Sequence, residues 1–153
     1  MIVPDFLWAP SQKDLHAALV AQRVARRNLL TVAAASITIN AYIVPRDQVF
    51  WLTNFFVLAA GGGAQTVTRI ELQMNSVDAS GVFTNICQLF AHSPAAARSD
   101  LPNSPSPSQM CLAMLMDGEA ITANGLFSAG VSANTLIADV TGILMPRGSF
   151  QLG

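Results

Sequence analysis

The chain has 153 residues, 52% hydrophobic and only 11% charged, with a net charge of −1. That is room for one domain with a real core, and too few cations to coat a nucleic acid. Its longest apolar stretches, Met110 to Met116 and Phe55 to Ala60, fall far short of the roughly 18 residues of a membrane-spanning helix.

Met1-Ile2-Val3-Pro4-Asp5 lacks the basic start and apolar run of a signal peptide, so the chain is expected in a cytoplasm or in a particle assembled there. Pro4 and Pro10 bracket Asp5-Phe6-Leu7-Trp8-Ala9, which reads as an extended arm whose aromatics need a surface to dock on. Ser11-Gln12-Lys13-Asp14 resembles a capping box, and alanine-rich sequence follows to about Asn28; a helix is predicted there. In residues 1–30 Lys13, Arg23, Arg26 and Arg27 outnumber Asp5 and Asp14, whereas acids exceed bases in the remainder. Arg23, Arg26 and Arg27 would stand near the helix C-terminus, where cations complement the dipole; they could equally meet an acidic neighbour. Residues 1–29 are therefore taken as an arm and helix, and 30–153 as a β-domain.

From Leu30 the pattern changes. Ile37 to Ile43 and Thr68 to Asn75 alternate with period two and read as strands with one wet face. Further strands are predicted near 48–60, 82–91, 109–116, 120–128 and 135–145, separated by turn chemistry at Pro45-Arg46-Asp47, Gly61-Gly62-Gly63, Asp78-Ala79-Ser80-Gly81, Asp117-Gly118 and Pro146-Arg147-Gly148. The triple glycine is read as a hairpin connection. Many short strands with frequent turns imply an antiparallel sandwich or barrel. Residues 94–108, with Pro94, Pro102, Pro105 and Pro107, read as a long irregular loop that joins no ladder. Val49 to Leu58 and Met110 to Met116 are apolar at both parities; one face fills a core, and the other must be covered by the helix, the loop or a neighbouring subunit.

No catalytic signature stands out, and the chain is read as a non-enzyme without cofactor or metal. The histidines are His16, in the predicted helix, and His92, at a strand end; a metal centre needs more ligands than these supply. No Gly-x-Ser-x-Gly elbow occurs, and Gly61–Gly63 lacks the Gly-Lys-Ser/Thr of a phosphate loop. Asp117 and Glu119 flank Gly118 as turn residues, too few for calcium. Cys87 and Cys111 are read as buried thiols.

An arm and helix followed by a low-charge β-domain ending in Gly142-Ile143-Leu144-Met145-Pro146-Arg147-Gly148 resembles the small jelly-roll proteins of tailed-bacteriophage virions, most of all capsid cement or decoration proteins. The resemblance covers residues 30–153 in architecture. It implies a mainly β fold, an antiparallel jelly-roll-like sandwich with an N-terminal arm and one α-helix. It also implies a structural protein of the capsid surface that binds the major capsid protein and copies of itself, as a trimer, and carries no catalytic residues. Head-fibre, tail and receptor- or sugar-binding β-sandwich modules share these features. Phe6, Leu7, Trp8, Arg23, Arg26 and Arg27 are the expected partner-binding residues, because aromatics and arginines dominate interface energies.

Overall fold

The computed structural model describes residues 22–102 and 112–149. They form nine strands: β1 (Gln22–Val32), β2 (Ser36–Ile43), β3 (Gln48–Ala60), β4 (Val67–Val77), β5 (Phe83–His92), β6 (Arg98–Pro102), β7 (Ala113–Met116), β8 (Glu119–Phe127) and β9 (Asn134–Pro146). One sheet runs β1-β9-β3, with β6 and β7 sharing the far side of β3; the other runs β2-β8-β4-β5. Every pairing is antiparallel. Strands 1, 9, 3 and 6 facing strands 2, 8, 4 and 5 is the strand order of a jelly roll, so the expected mainly β, antiparallel sandwich is the fold.

Alternation places the core. In β2, Ile37, Ile39 and Ala41 are buried while Ser36, Thr38 and Asn40 are exposed. In β9, Asn134, Leu136, Ala138, Val140 and Gly142 are buried between half-buried neighbours. Phe50, Leu52, Phe55 and Val57 of β3 meet Ile70 and Leu72 of β4 and Ile121 and Ala123 of β8 in a single cluster. Tyr42 packs on Phe50 with ring centroids 4.4 Å apart, and Phe55 on Phe90 at 4.6 Å, separations at which tilted rings attract. Gly142 lies under the Phe50 ring where no side chain fits: an added Cβ would stand 2.2 Å from the Trp51 carbonyl oxygen and 2.3 Å from Phe50 Cζ.

The end of the sandwich where β3 passes to β4 is tied by one side chain. Asn134, fully buried, accepts from the Gly62 N–H at 2.9 Å and donates to the carbonyls of Ala34 at 2.8 Å and Ala129 at 2.9 Å and to Gln65 Oε1 at 3.2 Å. Three loops from different parts of the chain thus share one amide, which satisfies backbone groups that burial would otherwise orphan.

The β4–β5 hairpin is closed by Asp78, whose Oδ1 accepts from the Ser80 hydroxyl at 2.6 Å and from the N–H groups of Ser80 and Val82 at 2.8 and 2.9 Å; Gly81 takes the positive φ of 82° that side chains avoid. These bonds, the Ser80 hydroxyl first, hold the Asp78 carboxyl below its ordinary value. A carboxylate with a lowered folded pKa contributes stability above its ordinary value and loses it as pH falls through the lower one. In an NMR pH titration the Ser80 and Val82 amides should therefore move together only below the ordinary aspartate range. Movement at or above that range would mean the turn is not held by this carboxylate.

Several expectations change. Residues 22–28, taken as the end of a helix carrying Arg23, Arg26 and Arg27, are the first part of β1, paired residue for residue with β9 from Gln22↔Leu144 onward. Helix propensity is a weak prior, and a full ladder with Val24 buried overrides it. The boundary expected at residue 29 falls inside this strand; residues 1–21, with the rest of the predicted helix and the arm, lie outside the described residues. The loop at 94–108 is not wholly irregular: Arg98–Pro102 form β6 on Ala60–Phe56 of β3, and Ala96 bridges to Val67. Seven proline-free residues stand between Pro94 and Pro102, and a proline at the last strand position sacrifices little of the ladder. Gly61–Gly63 is no hairpin, because β3 and β4 belong to different sheets; it is the crossover between them. Cys87 is exposed on edge strand β5, contrary to the buried thiol expected, and Cys111 lies outside the described residues.

Candidate interaction surface

The face of the β1-β9-β3 sheet turned away from the core is built by register. Where Phe50, Leu52, Phe55 and Val57 point inward, Val49, Trp51, Phe56 and Leu58 point outward. Val49 lies beside Met116 of β7 and Met145 of β9; Trp51 lies between Met114 and Ile143; Phe56 is opposite Asp139; Leu58 is opposite Ile137. Across β9 these rows reach β1, where Ile143 faces Arg23, Asp139 faces Arg27 and Ile137 faces Leu29. The outward face is thus apolar at both ends, with Val49 and Met145 only 3% and 5% exposed against 42% for Met114 and 62% for Leu29.

Its middle carries an ion pair. Arg27 grips Asp139 with Nε at 2.9 Å from Oδ1 and Nη2 at 2.7 Å from Oδ2, a two-pronged geometry that fixes the guanidinium plane. Those hydrogen bonds, then the charge of Asp139, raise the Arg27 pKa further above its ordinary value. The pair is exposed, so it orients the side chain and adds little stability. Beside it an open depression of about 270 Å³ is lined by Ala25, Arg26, Arg27, Asp139, Val140 and Thr141. Arg26, on the other side of β1, lies near Tyr42; burial raises the Tyr42 pKa and the charge of Arg26 lowers it, burial being the larger.

The other sheet carries a polar, hydrogen-bonded network, although its Ile43, Ile86 and Leu126 are 48%, 46% and 36% exposed. Thr38 donates to Asn124 at 2.8 Å, buried Asn75 to Thr122 at 2.6 Å, and Gln73 to Glu71 at 2.7 Å; Arg69 pairs with Glu71.

Of the six residues expected to bind a partner, Arg23 and Arg27 stand together on the outward face of the first sheet, Arg26 faces the other way, and Phe6, Leu7 and Trp8 lie outside the described residues. Met114 belongs to the run Met110 to Met116 whose second apolar face needs cover, whereas nothing in the local pattern marks Ile143, Met145 and Leu29 as members of the same face. The both-parity apolar pattern of Val49 to Leu58 was the signal for their β3 neighbours, but only the pairing of β3 with β7 and β9 assembles the rows. His92 ends β5 as expected. Among the described residues no three His, Cys, Asp or Glu side chains converge.

The fold and its surfaces define a jelly-roll β-sandwich with one apolar, partly basic face. No family model matches the chain, and no curated protein matches it in sequence. Among solved structures it is similar to a protein of Sulfolobus Turreted Icosahedral Virus (TM-score 0.47, 12% identity, 84% of this chain and 31% of that one). It is also similar to a subunit of Bacillus endospore appendages, described as disulfide-linked pili (TM-score 0.41, 12% identity, 83% of this chain and 88% of that one). A third is the C-terminal family 22 carbohydrate binding module of Clostridium thermocellum Xyn10B (TM-score 0.35, 16% identity, 84% of this chain and 88% of that one). These likenesses are of architecture.

Proposed function

We propose that this chain is a structural virion protein, a capsid cement or decoration protein that binds the outside of an assembled phage shell and braces neighbouring capsomers, with no catalytic role. The observation that carries the reading is the outward face of the β1-β9-β3 sheet. Met114, Trp51 and Ile143 form one apolar row and Leu58, Ile137 and Leu29 another, with Arg23 and Arg27 at the β1 margin. Two apolar rows on a low-charge domain, open at Met114 (42%) and Leu29 (62%) and separated by the Arg27–Asp139 pair, suit a covering surface that is apolar with a polar centre. The partners that fit are the major capsid protein and further copies of this chain. A sugar-binding module would present aromatic side chains on loops, whereas among the described residues the aromatics all sit within strands.

The test is mass spectrometry of purified particles, which should find the chain in a fixed copy ratio to the major capsid protein. Its absence from particles sinks the reading. Because β1 begins at Gln22, the arm is examined by a chain that starts there. That chain should unfold cooperatively like the full one and fail to join particles, with a milder loss for Trp8→Ala. Undiminished joining would show that the arm is not the anchor, and failure to fold would place it in the core.

A further inference from the structure

β1 pairs with β9 through all eleven of its residues, Gln22↔Leu144 to Val32↔Asn134, without a shift in register. Its other side carries no strand among the described residues. The remaining sheet margins are broken. β2 is interrupted at Ala41, between Asn40 and Tyr42, and the Ala41 carbonyl is capped by Asn28 Nδ2 at 3.0 Å. β5 is interrupted twice, at Ile86 and Leu89. The far margin of the first sheet is divided between β6, of five residues, and β7, of four. Bulges and short strands are the devices by which sheet edges refuse new strands, and β1 has neither. Its second half is apolar and open, with Leu29 62%, Leu30 42% and Val32 40% exposed.

We infer that the open edge of β1 is a pairing site for β1 of a second copy, antiparallel and related by a two-fold axis, so that two sheets become one. A second copy offers the same unshifted eleven-residue edge with its apolar half in the same place, and charge selects the register. Arg23, Arg26 and Arg27 fill the first half of the strand and Leu29, Leu30 and Val32 the second. Pairing centred on the first half would set arginine against arginine, which is unfavourable for residues directly opposite. Pairing with Leu29 opposite itself sets Arg27 against Thr31 and Arg26 against Val32 of the second copy, buries the leucines, and leaves Arg23 beyond the overlap. Among the described residues each copy has one such edge and the pair uses both, so the assembly closes at two across this contact and does not grow into a fibre. The inference rests on the strand edge and is independent of the virion reading. A dimer formed by a protein absent from particles would sink that reading and leave this one standing.

The test uses the full chain with Cys87→Ser and Cys111→Ser, into which Leu29→Cys or, as the control edge, Ile86→Cys is introduced. Residues opposite across an antiparallel pair have Cβ atoms about 4.5–5.5 Å apart, close enough for a disulfide after small adjustment. Leu29→Cys should oxidise to a covalent dimer at micromolar protein while Ile86→Cys stays mostly monomeric. Separately, light scattering should show a reversible dimer for the parent and an association weaker by about tenfold or more for Leu29→Lys with Leu30→Lys, which sets like charges face to face. A parent monomeric across the micromolar range overturns the inference. So does Leu29→Cys cross-linking no faster than Ile86→Cys, or a lysine variant that folds and dimerises like the parent. If the lysine variant does not fold, the cysteine comparison decides alone. A dimer seen only when a different protein is present would assign the edge to that partner and equally overturn the pairing of copies.

Discussion

Gly142→Ala is expected to cost about 3 kcal/mol or more, the upper part of the range for forcing a methyl group into a packed core. Gly142 stands in β9, the strand that joins β1 to β3, and its added Cβ would press on the Trp51 backbone oxygen at 2.2 Å as well as on the Phe50 ring. Phe50 is fully buried, so the ring has no solvent to retreat into, and the carbonyl cannot move without lengthening the β3–β9 ladder. Domains of this size are stable by only about 5–15 kcal/mol, so the urea midpoint should fall sharply with an unchanged slope. Gly148→Ala is the control, because nothing lies within 4 Å of its added Cβ; it should stay within about 0.5 kcal/mol of the parent. Equal effects at the two positions would show that Gly142 is not a point of close approach.

Asn134→Ala is expected to cost about 3–5 kcal/mol, since it strands several buried groups at once: the Gly62 N–H, the Ala34 and Ala129 carbonyls and the Gln65 amide. Asn134→Asp separates this account from simple loss of volume. The isosteric carboxylate would still accept from Gly62 but would turn an oxygen toward three other acceptors, a site that favours its protonated form. Its folded pKa would then be raised, so the variant's stability is retained below the ordinary aspartate value and falls as pH rises through it toward neutrality. Chemical denaturation at acid and neutral pH reads this directly. A variant as stable at neutral pH as in mild acid would show that the amide does not donate to these carbonyls.

The legible parts of the fold were those where the side chains alternate. β2 and β4 announce themselves by period two, and β3, β5, β8 and β9 by apolar runs between turn residues, so the sandwich follows. β1 was not legible because only Val24 of its first six residues is buried; an edge strand wet on most sides has no alternation to display, and Gln-Arg-Val-Ala-Arg-Arg is as good a helix as a strand until β9 supplies a ladder. β6 was hidden by the prolines around it. Gly61-Gly62-Gly63 marks a reversal plainly, but whether the chain returns to its own sheet or crosses to the other is decided by which partner waits there, information held in β8 and β9 far along the chain. The interaction surface divides in the same way. The apolar excess of Val49 to Leu58 was visible, while its union with Met114, Ile143 and Leu29 depends on a register that no local pattern encodes.

That register also sets the order of events in folding. Arg27 finds Asp139 across 112 residues, and β3 likewise has its long partner in β9. Until residues 134–146 have left the ribosome, β1 lacks its partner strand and the most apolar segment, β3, has only the short β6 and β7 to pair with. Non-local pairing of this kind folds on the millisecond-to-second scale and leaves strand edges open to other chains meanwhile. Yield in recombinant production should therefore depend on synthesis rate and temperature more steeply than the finished domain's stability would suggest.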